Sequence, residues 1–444
     1  MWFAGRVKLI MCFEMQSNPF FCRSVQKPCG VAGGFRPIPP MKNRVIALLI
    51  LGLLDFAPLL RSAEMEAKAP EIVLGMSTVL SGPAAALGKD MRDGVIAGFE
   101  RANRAGGVNG RKLRLLALDD GYEPARTARN MRQLIERENV LAIIGNVGTP
   151  TAIVAVPIAI ERKTLFFAAY SGAGVLRNEP PDRYVVNYRA SYAEETGAII
   201  DGLLDELGMK PDEIAFFTQR DAFGDAGLKS GVAALQRRGL ADEKAILHVS
   251  YERNTLAVEN AVASLLLAPQ PPRAIVMVGT YGPCAKFIHL CREVGLRVAF
   301  VHLSFVGSGP LAHELGRNDA PVAVMQVVPS PLDAGLPIVR EYLADRHALG
   351  ATTPAGVGDL EGYIAARIFV TALEKTKGVP TRESIIDALE GLGKFDLGLG
   401  EPLFLGPAEH QASHRIWPTV LAEGAFVPFQ WKDFSKFLNK DFKP

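Results

Sequence analysis

Short β-branched runs alternate with longer amphipathic stretches along most of the chain. Runs such as 72–77 and 112–118 are rich in apolar residues and predict strands. Stretches such as 91–105 and 125–138 repeat their apolar residues at the helical period and predict helices. Because strands and helices follow each other repeatedly, the pattern predicts a parallel sheet with helices on both faces.

The same order of elements restarts in the middle of the chain, which predicts a second α/β lobe. Its first predicted strand is 213–218 and its last is 298–303. Residues 187–190 are predicted to cross between the lobes, and residues 327–331 to return. The remaining predicted elements are helices at 338–348, 359–375 and 382–389, which rejoin the first lobe, and a strand hairpin at 416–421 and 426–431, which crosses once more.

The first 63 residues differ in kind from the rest. A short basic start at 41–44 precedes an unbroken apolar run at 45–54. Ten residues are too few for a membrane span, which needs about 20, but they suit a signal peptide. We predict a signal peptide at 41–63 with cleavage after Ala63. Residues 1–40 are predicted to be a mis-assigned start, with a genuine extension as the alternative.

Charge and cysteine content narrow the class of partner. Of the 49 Lys+Arg and 47 Asp+Glu residues, eight and two lie in residues 1–63, which leaves 41 and 45 and a net charge of −4. A mildly acidic surface argues against nucleic acid. Cys284 and Cys291 remain after export. On one helix they lie two turns apart, beyond disulfide reach, so two free thiols are predicted.

The loops that follow strands in the first lobe are candidate ligand contacts, because open parallel sheets bind ligands at the carboxyl ends of their strands. Thr149 and Pro150 read as an N-cap and a first helical residue. The amides and dipole of that helix would attract a carboxylate. The alternative is that Thr149 only caps its own helix. After the fourth strand, Ser171 offers a hydroxyl and Tyr170 a flat wall.

In the second lobe, Phe223 and Tyr281 lie in loops at the equivalent place, each flanked by glycine. Two rings closing on a polar cradle would bury a small molecule. The alternative is that these rings only fill the interior of their lobe.

Signals for catalysis or cofactors are weak. Gly172 and Gly174 begin a dinucleotide fingerprint, but Arg177 stands where its third glycine belongs. His410 and His414 have the spacing of a zinc helix without its glutamate, in a segment that reads as a loop. The adjacent pair at 119–120 would point to opposite faces of a strand and suits acid–base work poorly. No cofactor, metal or catalytic residue is predicted.

Several short motifs resemble the branched-chain amino-acid-type periplasmic binding proteins, the substrate-binding subunits of ABC importers. The resemblance covers nearly all of residues 70–435. The motifs that carry it are Leu-Ser-Gly-Pro (80–83), Gly-Gly-Val-Asn-Gly-Arg (106–111), Asp-Asp-Gly-Tyr-Glu-Pro (119–124), Gly-Thr-Pro-Thr (148–151), Tyr-Ser-Gly-Ala (170–173) and Phe-Gly-Asp (223–225).

The resemblance implies a type I periplasmic binding fold, with three crossings and hinge closure on the ligand. It implies that Thr149 and Ser171 hold a ligand carboxylate, with help from backbone groups of Val147 and Ala169. It also implies that Phe223 and Tyr281 cover the ligand from the other lobe.

Two positions depart from the family pattern. Ser304 stands near where family members carry an acid for the ligand ammonium, and Leu87 stands where a tyrosine is frequent. A buried ammonium without a partner is costly. The departure therefore favours a carboxylate without an α-amino group, such as an aromatic acid or another neutral-headed solute.

The resulting prediction is an α/β, non-enzymatic, periplasmic substrate-binding subunit with two doubly wound parallel-sheet lobes and a three-segment hinge. Its expected partners are a small carboxylate, amino acid or aromatic acid and the ABC permease membrane subunits, and it is expected to be a monomer. A ligand-sensing receptor and a doubly wound enzyme are the alternatives. The predicted lobes are 70–189 with 329–407, and 190–328 with 408–444. The predicted ligand-binding residues are Ser81, Val147, Gly148, Thr149, Ala169, Tyr170, Ser171, Tyr192, Phe223, Tyr281, Ser304 and Phe305.

Overall fold

The computed structural model describes residues 71–316 and 320–441 of the 444-residue chain. The predicted mis-assigned start at 1–40 and the predicted signal peptide at 41–63 lie outside the described residues. Within the described ranges, no helix combines the length and the apolar character that a membrane span requires.

The first sheet has five strands, all parallel, in the order β2-β1-β3-β4-β5. Its strands are β1 (Ile72–Thr78), β2 (Leu113–Asp119), β3 (Ala142–Ile144), β4 (Leu165–Phe167) and β5 (Val185–Val186). Because strands β1, β3, β4 and β5 are almost wholly buried, they read in the sequence as continuous apolar runs. The helices that pack with this sheet or with each other beside it are α1 (Ala85–Arg104), α2 (Pro124–Arg132), α3 (Thr149–Glu161), α9 (Pro337–Ala348), α10 (Val357–Glu374) and α11 (Arg382–Glu390). We call this part lobe 1.

The second sheet has seven strands in the order β14-β13-β10-β9-β8-β6-β7. The pairings of β13 with β10 and with β14 are antiparallel, and the other pairings are parallel. Its strands are β6 (Ile214–Gln219), β7 (His248–Tyr251), β8 (Ala274–Val278), β9 (Ala299–His302), β10 (Val322–Gln326), β13 (Trp417–Ala422) and β14 (Ala425–Pro428). Its helices are α4 (Tyr192–Asp201), α5 (Ala222–Arg237), α6 (Glu259–Leu266), α7 (Tyr281–Glu293), α8 (Ser308–Leu315) and α12 (Trp431–Asp441). We call this part lobe 2. A small antiparallel pair, β11 (Gly393–Phe395) and β12 (Leu403–Leu405), lies between the lobes in sequence.

Three segments connect the lobes. The chain leaves β5 and enters α4, returns from β10 to α9, and passes from β12 to β13. The first and third segments run side by side, because Asn187 bridges Gln411 in the parallel sense and its backbone N–H donates to the carbonyl of His410 at 2.6 Å. The predicted fold class and its three-segment hinge are confirmed.

The structure contains strands and helices that the sequence pattern did not predict, and one predicted strand differs in extent. The elements that were not predicted are strands β5, β10, β11 and β12 and helices α4, α8 and α12. The strand predicted at 426–431 ends at Pro428, and Trp431 instead starts helix α12. Trp431, Phe434 and Phe437 recur at the helical spacing, and the ring centroid of Phe434 lies 5.7 Å from that of Trp431 and 6.1 Å from that of Phe437. The helical period therefore outweighed the β propensity of the aromatic residues.

Cys284 and Cys291 are confirmed as free, buried thiols on α7. Burial raises the pKa of the Cys291 thiol to about 12. Neither thiol is therefore a reactive thiolate at neutral pH.

Helices α1 and α10 approach so closely that their contact requires glycine. A Cβ added to Gly94 would lie 1.9 Å from the carbonyl oxygen of Asp359 and 2.8 Å from the amide nitrogen of Tyr363. Since both obstacles are backbone atoms, no rotation of a side chain relieves them. The pair fixes the position of α10, which carries Glu361 into the interior.

Replacing Gly94 with alanine is expected to destabilise the fold by about 1–3 kcal/mol, because the helices must separate to admit the methyl group. The measurement is urea unfolding of the full chain. Gly197→Ala on α4 is the matched control, because nothing lies within 4 Å of its added Cβ. That change is expected to stabilise by up to about 1 kcal/mol through helix propensity. Equal effects of the two substitutions would contradict the close approach.

Candidate functional site

The hydroxyls of Thr149 and Ser171 form a buried pair at the carboxyl edge of the first sheet. Their oxygens are 2.8 Å apart, and both residues are at most 1% exposed. They meet because β3 and β4 are parallel neighbours, so the loops that leave them lie side by side. The structure thus brings together two predicted carboxylate contacts from different loops.

Thr149 does not cap its helix. The predicted N-cap is therefore wrong by one residue, and so is the alternative that Thr149 serves only as a cap. The N-cap position of α3 belongs to Gly148, and Thr149 is the first helical residue. Gly148 has φ +107°, and a Cβ there would lie 2.2 Å from the Tyr122 ring. Because glycine occupies the cap, the Thr149 hydroxyl is free to turn towards Ser171.

Backbone contacts hold the two loops in register. Val147 and Tyr170 form a parallel bridge, and the amide of Tyr170 donates to the carbonyl of Asn146 at 2.8 Å. The amide of Gly148 donates to the carbonyl of Tyr170 at 3.2 Å. Val147 and Ala169 are both buried, and they precede Thr149 and Ser171 in the same two loops. The predicted backbone contacts therefore belong to one pair of hydrogen-bonded loops.

A cluster of aromatic rings, contributed by both lobes, lies next to this pair of loops. The centroid of Phe305 lies 4.4 Å from Phe223, 5.5 Å from Tyr170 and 6.2 Å from Tyr122. The ring of Tyr192 lies 5.5 Å from Phe223. All five residues are at most 1% exposed. Four of them were predicted, and Tyr122 was missed although it stands in one of the motifs of the resemblance.

The hydroxyl of Tyr192 is buried and, within the described ranges, has no hydrogen-bond partner. Burial raises the pKa of Tyr192, and the neighbouring hydroxyls of Ser171 and Thr149 oppose that rise. Three hydroxyl groups thus converge at the start of α3.

Two predicted residues lie at the rim instead. Ser81 is exposed, and it donates to the Asp119 carboxylate from its hydroxyl at 2.6 Å and from its amide at 3.2 Å. Ser81 therefore stands apart from the buried cluster. Tyr281 is half-buried at the start of α7; burial raises its pKa, and a hydrogen bond with the Ala86 backbone of lobe 1 opposes the rise.

The loop that contains Ser304 is bordered by an acid that the sequence did not place there. The sequence places no acid in this loop, but Glu195 on α4 reaches it. The Ser304 amide donates to Glu195 Oε2 at 2.6 Å, and the Ser304 hydroxyl donates to Oε1 at 3.0 Å. The Tyr170 hydroxyl donates to the Ser304 carbonyl at 3.4 Å. An acid that is 109 residues away in sequence thus borders the site.

Beneath the cluster lies a buried ion pair between the first crossing and α10. Arg189 donates from Nε and Nη2 to the two oxygens of Glu361 at 2.8 and 2.9 Å. Their side chains are 1% and 3% exposed. Burial alone would lower the pKa of Arg189, but the charge and hydrogen bonds of Glu361, together with the nearby Tyr170 and Glu195, raise it. The guanidinium carbon also lies 4.2 Å from the centroid of the Tyr170 ring.

Polar contacts join the two lobes next to Tyr122 of the aromatic cluster. Arg253 and Asn254 of lobe 2 donate to the carboxylate of Glu123 in lobe 1, at 2.9 and 2.7 Å. Gln219 donates to the hydroxyl of Tyr122 at 3.3 Å. These contacts hold the two lobes against each other.

The weak signals for catalysis resolve into structural roles. Asp119 receives hydrogen bonds from Arg126 and the 80–81 loop, whereas Asp120 receives them from Ser77 and Thr127. His414 pairs with Glu194 at 2.7 Å in an irregular segment. Among the residues that the structure describes, no group of three or more His, Cys, Asp or Glu side chains is arranged to hold a metal ion.

Comparison with known proteins decides the family. A family model described as "Periplasmic binding protein" matches residues 71–425, which is most of the chain. The chain belongs to the periplasmic binding protein family. The periplasmic binding proteins are non-catalytic, so the enzyme alternative is wrong. Membership of this family also implies an extracytoplasmic location.

Solved and curated periplasmic binding proteins resemble this one over most of its length. A crystal structure of a possible leucine/isoleucine/valine-binding protein from Rhodopirellula baltica SH 1 is 46% identical, covers 83% of this chain and 98% of its own, and has a TM-score of 0.80. A substrate-binding periplasmic protein from Ralstonia solanacearum is 28% identical, with coverages of 81% and 99% and a TM-score of 0.75. The Leu/Ile/Val-binding protein homolog 7 of Brucella suis biovar 1 (strain 1330) is 25% identical over 384 residues, with coverages of 81% and 90%.

Proposed function

We propose that this periplasmic binding protein is the substrate-binding subunit of an ABC importer that captures a small carboxylate-bearing or amino-acid-like solute. The solute would lie between the two lobes, against the hydroxyl pair of Thr149 and Ser171. The curated relatives named as Leu/Ile/Val-binding homologues support this class of solute.

The observation that carries the proposal is the convergence of three buried hydroxyls at the start of α3. Those of Thr149 and Ser171 lie 2.8 Å apart, and that of Tyr192 is beside them without a partner in the described part of the chain. Unpaired buried polar groups cost free energy, and a carboxylate would accept hydrogen bonds from them. The positive end of the α3 dipole adds to the attraction.

Entry of a solute requires the lobes to separate, because the residues of the cluster are buried. The three connecting segments permit a hinge motion, and a ligand that touches both lobes favours the closed arrangement. The contacts of Glu123 with Arg253 and Asn254 would break on opening and form again on closure.

The proposal extends to partners and export. The closed form would dock on ABC permease membrane subunits as a monomer, and residues 41–63 would direct secretion into the periplasm. Lobe boundaries at residues 189–190, 328–329 and 407–408 are part of the same proposal, as they place Arg189 at a hinge.

The test is a thermal-shift screen of amino acids, aromatic acids, dicarboxylates and amides, followed by small-angle X-ray scattering. A solute at about 100 times its dissociation constant is expected to stabilise the fold by about 2.7 kcal/mol. The same solute is expected to reduce the radius of gyration, because it closes the lobes. A scattering profile that every stabilising solute leaves unchanged would contradict capture by closure.

A further inference from the structure

Glu195 is a fully buried carboxylate at the edge of the aromatic cluster. It lies one helical turn after Tyr192, so both side chains project from the same face of α4. Its two oxygens accept from the amide and the hydroxyl of Ser304. Because each carboxylate oxygen accepts more than one hydrogen bond, Glu195 keeps capacity for a further donor.

Among the described residues, no cationic side chain is bonded directly to Glu195, whose oxygens contact only Ser304. Arg189 is its principal counter-charge, but two of its nitrogens already hold Glu361, and its Nη1 is buried with no hydrogen-bond partner among the described residues. Two ionised carboxylates would therefore share one guanidinium. The charged and titratable groups that act on this cluster are Arg189 of the first crossing, Glu361 of α10, Tyr170 and Arg177 of the loop after β4, and Tyr192 of α4.

Arg177 does not supply the missing charge locally. Its nitrogens donate to the carbonyls of Ser171, Ala173 and Arg189 and to the side chain of Gln411. Burial raises the pKa of the Glu195 carboxyl to about 7, against the opposing charge of Arg189. Near neutral pH the ligand-free protein is thus close to the point at which Glu195 exchanges its proton.

We propose that Glu195 determines specificity by exchanging its proton for a positively charged group of the ligand, so that capture is coupled to proton release. The ligand is then a zwitterion whose carboxylate lies on Thr149 and Ser171 and whose ammonium lies towards Glu195. The proton leaves to solvent, and the Glu195 carboxylate gains a cation in direct contact with it. This inference rests on the proposed function and replaces the neutral-headed solute that the sequence alone favoured.

The affinity for a zwitterion is expected to depend on pH through the protonation of Glu195. Below pH 7 Glu195 is increasingly protonated, and an ammonium must displace that proton. Affinity for a zwitterion therefore falls by up to about tenfold per pH unit below 7 and levels off above it. Affinity for a carboxylate without a cationic group rises or stays constant as the pH falls below 7.

The test is isothermal titration of the full chain with matched pairs of probes: L-leucine against 4-methylpentanoate, and L-phenylalanine against 3-phenylpropanoate. The amino acid of the binding pair is expected to bind about tenfold more tightly at pH 8 than at pH 6. At pH 7 about half a proton is expected to be released per ligand bound, so heats measured in Tris and in phosphate are expected to differ by that fraction of the difference between the ionisation enthalpies of the two buffers. This readout needs no variant.

Glu195→Gln is expected to weaken binding of the amino acid by roughly tenfold or more and to remove its pH dependence. Glu194→Gln is the matched control, because the neighbouring acid points to His414 instead and is expected to leave affinity unchanged. Equal binding of both members of a pair, with no proton released, would overturn the role of Glu195 but leave carboxylate capture intact. Binding of neither member of either pair, nor of any other carboxylate, would overturn the proposed function and this inference together.

Discussion

Replacing Arg189 with methionine is expected to lower the free energy of unfolding by about 3–5 kcal/mol, because the substitution leaves the Glu361 carboxylate buried without a counter-charge. Arg189 supplies two hydrogen bonds to that carboxylate and lies 4.2 Å above the Tyr170 ring. Its side chain is 1% exposed, so water does not replace either contact. Urea unfolding at pH 7 measures the loss.

Two control variants separate burial of charge from loss of an arginine. Arg183 pairs with three carboxylates but is 40% exposed, so Arg183→Met is expected to cost less than about 1 kcal/mol. Adding Glu361→Leu to Arg189→Met is expected to recover much of the loss, since an apolar pair can replace a buried ion pair. A loss below about 1 kcal/mol for Arg189→Met alone would contradict the assignment of a buried ion pair whose loss leaves a carboxylate uncompensated.

Much of the fold was predictable because its strands are short, apolar and regularly spaced. The predicted strand at 274–278 coincides with β8, and that at 72–77 differs from β1 by one residue. Parallel strands that are covered on both faces leave this signal without any knowledge of tertiary contacts. Where two signals competed, as at Trp431, the period of the apolar residues was the better guide.

The site was predictable in part, because loops after parallel strands necessarily gather at one sheet edge. That rule, with the resemblance, selected Thr149, Ser171, Phe223 and Phe305, which the structure brings to one cluster. It could not select Glu195, whose contact with Ser304 spans 109 residues, nor the pairing of Arg189 with Glu361 across 172 residues. Such contacts depend on how helices pack against the crossings, for which a single sequence carries no local signal.

The double substitution Thr149→Ala with Ser171→Ala is expected to remove the ligand-induced stabilisation of about 2.7 kcal/mol that the wild type shows at about 100 times the dissociation constant. The two hydroxyls are the groups on which the carboxylate would lie, so their loss leaves the α3 amides alone to bind it. The measurement is a thermal shift with the solute that gives the largest effect in the screen.

The stability of the ligand-free protein distinguishes loss of a contact from loss of the fold. The double substitution removes both partners of one hydrogen bond and also the acceptor of the Ala173 amide, a 3.3 Å contact, so it is expected to cost about 1 kcal/mol. Ser171→Ala alone also leaves the buried Thr149 hydroxyl unpaired and is expected to cost about 1–3 kcal/mol. Thr381→Ala is a control remote from the site: it removes the N-cap of α11, so it is expected to cost about 1 kcal/mol while the ligand-induced shift persists. A double variant that folds and keeps the full ligand-induced shift would place the carboxylate elsewhere, because no binding free energy would then depend on either hydroxyl.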